Sequence, residues 1–263
     1  MCELMGLSFD RAVSADFSIR AFSLRDEENA DGWGLGWYPD RSLALVKEAL
    51  TWRRSGYSHF LESYQGLKSR IYIAHVRHQT TGGAVTHSDT HPFSREYAGR
   101  EFCFAHNGTI RGFAALPLER FHPVGGTDSE HVFCHLLDAI AARGERLQDQ
   151  VGWRWLHETL ASLNQRGTLN CLLSDGERLF GYRDANGWKG LCLRKLRFHE
   201  HGERHFEDCG MEVAMSGDEH NHGCVIATRP LSKTGWHDLS PGTLVVLEGG
   251  TLRYSDVIAT SHT

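Results

Sequence analysis

No stretch of this 263-residue chain is apolar over the roughly 20 residues a bilayer-crossing helix needs. The N-terminus has no basic region followed by an apolar one, so neither a membrane partner nor a secretory leader is expected. Prolines number only six, and there is no linker rich in Pro, Gly and Ser, no repeat and no low-complexity tract. Continuous structure, a single domain over 2–263, is the expectation. A basic block is missing as well: net charge is −5, which argues against a nucleic-acid partner. The seven cysteines (Cys2, Cys103, Cys134, Cys171, Cys192, Cys209, Cys224) are odd in number and contain no CxxC pair. That suits free thiols in a reducing cytoplasm better than a disulfide framework.

Strand-like runs are frequent: "WGLGWY" (33–38), "LALVKE" (43–48), "RIYIAHVR" (70–77), "FCFAHN" (102–107), "LNCLLSD" (169–175), "CVIAT" (224–228) and "TLVVLEG" (243–249). Glycines in "SDGE" (174–177) and "EGGT" (248–251) mark hairpin turns. Thr127 and Glu130 have capping-box spacing, followed by an apolar stripe of Val132, Phe133, Leu136, Leu137 and Ile140, with Gly144 as the stop. A second helix is expected through "GWRWLHETLASLNQRG", with Trp155, Leu156, Leu160 and Leu163 on one face and Gly167 after it. Another is expected in "YSHFLESYQGL". Strands at both ends with helices grouped between them favour an α+β fold of largely antiparallel sheets.

Cysteine one bond from the chain start has no evident packing role, because termini are usually loosely held. If Met1 is removed, Cys2 carries both a thiol and a free α-amine. Three strand ends gather further polar chemistry: Arg77, Thr80 and Thr81; His106, Asn107 and Gly108; and Asp128 at a helix start. Arg offers a planar fork for a carboxylate, Asp can bind an ammonium group, and an Asn amide with a Gly N–H can hold an oxyanion. Taken singly, each also has a structural reading: a salt bridge for Arg77, a turn for Asn-Gly, a dipole-matched charge for Asp128.

The order of "MCELMG", "DGWGLGWY", "IAHVRHQTTGG", "THPF", "FAHNGTI" and "VGGTDSEHVF" resembles the class II glutamine amidotransferases, and among them the stand-alone bacterial type called YafJ-like. The resemblance is dense over residues 2–135 and continues through "NCLLSDG", "VIATRPLS" and "LSPGTLVV". It implies a four-layer αββα sandwich of the N-terminal nucleophile hydrolases, with Cys2 as nucleophile. It further implies Arg77 on the substrate α-carboxylate, Asp128 on its α-ammonium group, Asn107 and Gly108 as oxyanion hole, and Thr80 in the glutamine pocket. His78 stands where synthase-linked members often carry Trp. No cofactor is implied. The substrate would be glutamine or another γ-glutamyl small molecule, and use of released ammonia would need a separate synthase or acceptor chain.

Two other readings stand beside this one. A hydrolase of γ-glutamyl peptides or thiol conjugates fits the same residues. A non-catalytic γ-glutamyl- or metal-binding module would leave Cys2 inert under a retained Met1. Seventeen histidines prompt the metal question. His199, His201, His205 and Cys209, with His220, His222 and Cys224, match no common zinc spacing, so a solvated His-rich hairpin is expected there and no metal. His75 and His106 read as structural partners within strands rather than as general bases.

Overall fold

The computed structural model describes residues 2–18, 30–64, 66–78, 86–144, 147–197, 203–207, 212–216 and 221–258. Its strands are β1 (Glu3–Ser18), β2 (Ala30–Trp37), β3 (Ala44–Glu48), β4 (Lys68–His78), β5 (Phe93–Tyr97), β6 (Arg100–Ile110), β7 (Gly167–Ser174) and β8 (Arg178–Tyr182). They continue as β9 (Cys192–Arg197), β10 (Glu203–Glu207), β11 (Glu212–Ser216), β12 (His222–Ala227), β13 (His237–Asp238), β14 (Thr243–Glu248) and β15 (Thr251–Val257). Three α-helices are α1 (Gly56–Ser63), α2 (Asp128–Arg143) and α3 (Gln150–Asn164).

The strands form two antiparallel sheets. One runs β13-β9-β12-β1-β4-β2-β3, with β11 also on β1 and β10 on β11; the other runs β15-β14-β8-β7-β6-β5. Period-two alternation along each strand separates three cores. Leu4, Ile71, Ile73, Cys103, Ala105, Leu172, Ile226 and Val245 pack between the sheets. Met5, Leu7, Tyr72, Ala74 and Val76 point the other way, to a cluster with Trp52 and Leu61 of the α1 side. Phe102, Phe104, Leu169 and Leu173 face α2 and α3. The α+β fold of antiparallel sheets expected from the strand and helix order is therefore present, as is the sandwich that the resemblance implies.

Helix α2 begins as its spacing required: the Thr127 side chain accepts the Glu130 N–H at 3.2 Å. The reciprocal half of the capping box is absent. Glu130 turns instead to Arg95 (2.6 Å) and to the Gly125 N–H (2.7 Å), a partly buried charge pair that competes better than the cap. Gly144 closes the helix in the left-handed conformation, φ 66°. The end of α3 differs from expectation. It stops at Asn164, whose side-chain amide donates to Gly167 O at 2.8 Å and folds the chain back into β7. Gly167 is a strand residue; a Cβ there would lie 2.0 Å from Thr109 O, so close strand approach demands it. The buried aromatic of α3 is Trp153, with Leu156, Leu160 and Leu163, while Trp155 is only partly buried.

Candidate active site

Strand parity places the chemistry. Leu4 faces between the sheets, so Cys2, two residues earlier, lies on the same row of β1. On β4, Ile71 and Ile73 begin the inward row that continues through His75 to Arg77. Glu3 pairs with Val76, which sets Cys2 beside Arg77 across the strands. On β6 the inward row of Cys103 and Ala105 reaches Asn107. Three inward rows thus end together at one mouth of the sandwich.

Direct bonds close the arrangement. Asn107 is buried, and its Nδ2 donates to the carbonyl of Cys2 at 2.8 Å across 105 residues. An amide nitrogen carries two hydrogens, so one donor remains. Asp128 Oδ2 accepts the Ile110 N–H at 2.7 Å and Oδ1 accepts the Ser129 N–H at 2.9 Å. Those bonds hold the carboxylate at the end of β6 and leave further lone pairs open to a cation. Arg77 Nη1 donates to Asp89 O at 2.7 Å, and Asp89 Oδ1 accepts the Gly126 N–H at 2.8 Å. Asp89 therefore ties the arginine to the turn that leads into Asp128. Gly108 tolerates no side chain: a Cβ would stand 2.0 Å from Thr168 O and 2.5 Å from His106 Nε2.

A glutamine amidotransferase class-II family model matches residues 1–263. The chain belongs to the class-II glutamine amidotransferases. The putative glutamine amidotransferase YafJ of Escherichia coli K12 is 32% identical over 92% of this chain and 95% of its own. A crystal structure of a predicted glutamine amidotransferase from Pseudomonas aeruginosa superposes with TM-score 0.77 at 28% identity, covering 96% of this chain and all of that one. A shorter similarity, 31% over 57% of this chain and 60% of the other, joins it to the gamma-glutamyl-hercynylcysteine sulfoxide hydrolase of Mycolicibacterium smegmatis.

In this amidotransferase the structure brings Cys2, Arg77, Asn107, Gly108 and Asp128 to one mouth, whereas Thr80 lies outside the described residues. His106 takes the structural place expected of it. Its Nε2 can only donate to Thr168 O (3.1 Å), so its Nδ1 accepts the Ser129 hydroxyl (2.8 Å) in the neutral ring. Burial lowers its pKa and keeps it neutral, behind Gly108 rather than at the reacting centre. His75 stacks on His91 with centroids 4.2 Å apart. Of the His-rich segment, His199, His201, Cys209 and His220 lie outside the described residues, as does the side chain of His205. Cys224 is buried and its thiol donates to Gly250 O at 3.3 Å, while His222 Nδ1 sits 3.4 Å from Asp10. Among the described residues no cluster of three or more potential ligands forms.

Sequence reasoning missed three supports of the site. Asp89 and His91 belong to "SDTHPF", of which only the last four letters drew attention. Gly34 makes room for that segment, since a Cβ would meet His91 O at 2.2 Å. "VIATRPLS" anchors the nucleophile's strand: Thr228 exchanges bonds with Leu4 at 3.2 and 3.1 Å, and Arg229 pairs with Glu3 at 2.9 Å. No local pattern signals these links, because each partner is remote in sequence.

Proposed function

We propose that the chain hydrolyses the γ-amide of glutamine through a γ-glutamyl thioester on Cys2, once Met1 is removed. The observation that carries this reading is the Asn107 bond to the Cys2 carbonyl, which holds residue 2 against an amide with one donor to spare. A thiol must lose its proton to attack. The α-amine of an N-terminal residue titrates near ~7.7–8.0 and can take that proton, so no histidine base is required. The sulfur forms a bond to the carbonyl carbon of the side-chain amide and the carbonyl electron pair moves to oxygen. Asn107 Nδ2–H and Gly108 N–H would receive that oxyanion. Its collapse breaks the C–N bond, and ammonia departs with the proton held by the α-amine. Water then adds to the thioester, giving up a proton to the same amine, and glutamate leaves as the thiol re-forms.

Arg77 would hold the α-carboxylate: among the described residues only Nη1 is engaged, and a guanidinium has five N–H donors. Asp128 would take the α-ammonium group. With the α-carbon end gripped at both charges, the leaving side is less constrained. The similarity to the γ-glutamyl conjugate hydrolase favours a second reading in which that leaving side is a larger amine or thiol conjugate. Transfer of ammonia to a separate synthase is the corresponding role if glutamine is the substrate, and a cytoplasmic setting suits the free thiols.

Intact mass and active-site labelling test the reading together. Active protein should be lighter by one methionine, and a glutamine-like electrophile should label Cys2 alone among the seven cysteines. Full activity with Met1 retained, or label at Cys103 or Cys134, overturns the mechanism.

A further inference from the structure

A cavity of about 330 Å³ lies at the end of the sandwich away from the candidate active site. Arg70 of β4 and Arg100 of β6 line it, each seven residues from Arg77 and Asn107 along the same strands. At ~3.3 Å per residue that is about 23 Å from the candidate active site. Its walls are the β2–β3 connection (Tyr38, Asp40, Arg41) and the two hairpin turns at Gly99 and Gly176, both with positive φ. The frame is fixed. Tyr38 Oη donates to Glu101 O at 2.9 Å, and Glu101 Oε2 accepts from Ser42 Oγ (2.6 Å) and the Leu43 N–H (2.7 Å). At Gly99 a Cβ would meet nothing within 4 Å, so the space beside that turn is open.

The charges lining this cavity are unequally used. Asp175 is buried and accepts the N–H groups of Glu177 (3.0 Å) and Arg178 (2.7 Å) and the Arg178 guanidinium (3.2 Å). Glu177 pairs with Arg100 at 2.9 Å, and Asp40 Oδ1 accepts the Ser42 N–H at 2.7 Å. Asp175 and Glu177 are therefore held in ion pairs within the fold, while Asp40 accepts one backbone bond. Arg41 and Arg70 are exposed to the cavity and make no hydrogen bond or ion pair among the described residues. Two planar forks without a partner among the described residues, beside Asp175 and Glu177 already paired with other arginines, favour an incoming anion with several oxygens. The volume matches the smaller end of ligand pockets, about 300–1,000 Å³.

We propose that this cavity is a second binding site, for a small multivalent oxyanion held by Arg41 and Arg70, separate from the candidate active site. The shared chemistry is a pair of anionic oxygens, supplied by a phosphoryl group or a dicarboxylate. Isothermal titration of the full chain with inorganic phosphate, pyrophosphate and succinate, at matched ionic strength, tests it. At least one probe should bind saturably with one-to-one stoichiometry. The double variant Arg41→Ala/Arg70→Ala should weaken that binding tenfold or more, while Arg54→Ala, at another exposed arginine, and Cys2→Ala should leave it intact. Preference for pyrophosphate identifies a phosphoryl ligand, and preference for succinate a dicarboxylate. Both arginines are exposed and have no partner among the described residues, so the double variant should fold, which circular dichroism checks. No saturable binding of any probe up to ~10 mM overturns the proposal, because weaker binding than that is not specific recognition. Equal affinity in the double variant, or loss of binding on Cys2→Ala, overturns it equally.

Discussion

Replacing Asn107 by Ala separates the two tasks its amide is assigned. In the resting structure the amide holds the Cys2 carbonyl at 2.8 Å, a neutral bond worth about 0.5–1.5 kcal/mol net. Its second N–H is the proposed oxyanion donor, and loss of such a donor costs about 10²–10³-fold in kcat, or ~2.7–4 kcal/mol. The two amounts fall on different measurements. Urea unfolding should show a destabilisation of about 1 kcal/mol, because the buried side chain is small and its remaining partners are few. Steady-state release of ammonia from glutamine should show kcat down by roughly two to three orders of magnitude with KM changed by less than about threefold, since no ground-state substrate group is assigned to this amide. Asn107→Asp keeps the shape but sets an acceptor facing the developing negative charge, so its kcat should fall below that of the Ala variant. A normal kcat with a raised KM in either variant would refute the oxyanion role. A loss of activity that tracks unfolding, recovered at lower temperature, would reduce Asn107 to a brace for residue 2.

Arg77→Lys keeps the charge and loses the fork, so KM for glutamine should rise by about ten- to a hundredfold with kcat little changed; an effect confined to kcat would contradict a carboxylate-binding role. N-acetylated γ-glutamyl compounds lack the ammonium group assigned to Asp128 and leave that carboxylate unpaired, at a cost of about 1–3 kcal/mol. They should be turned over poorly, and Asp128→Asn should damage turnover only of the free-amine series; efficient cleavage of the N-acetyl series would contradict the pocket. Burial lowers the pKa of His106 and, with the Arg77 and Lys47 charges adding to it, of His91 as well. Both rings stay neutral when folded and gain protons first in the unfolded chain, so the stability they support is present above about pH 6.5 and is lost as pH falls toward their folded values. Unfolding free energy should therefore drop by up to ~1.4 kcal/mol per pH unit for each ring as pH is lowered below about 6.5, and less in His106→Asn; a parallel pH profile in the variant would refute the assignment.

Local chemistry in the sequence determined a good part of this protein. Continuous apolar runs marked β4 and β6 as strands, because a strand covered on both faces must be apolar throughout. Thr127 and Gly144 bounded α2, since a capping hydroxyl and a left-handed glycine act within one turn. Gly249 and Gly250, both with positive φ, turned β14 into β15. Arg77 and Asp128 were legible because their charges oppose those of an amino acid, Asn107 as an amide suited to an oxyanion, and Cys2 as a thiol beside the chain start. Tertiary structure alone decided the rest. Only strand order sets β1 beside β4 and brings Cys2 against Arg77, and only the packing of the two sheets brings Asn107 to the Cys2 carbonyl. Glu130 left its cap because Arg95, 35 residues away, offered a stronger partner. Asp89 and Gly34 became supports of the site only when the 86–93 segment crossed β2. Such links depend on register between distant strands, and a single sequence carries propensity and pattern but not register.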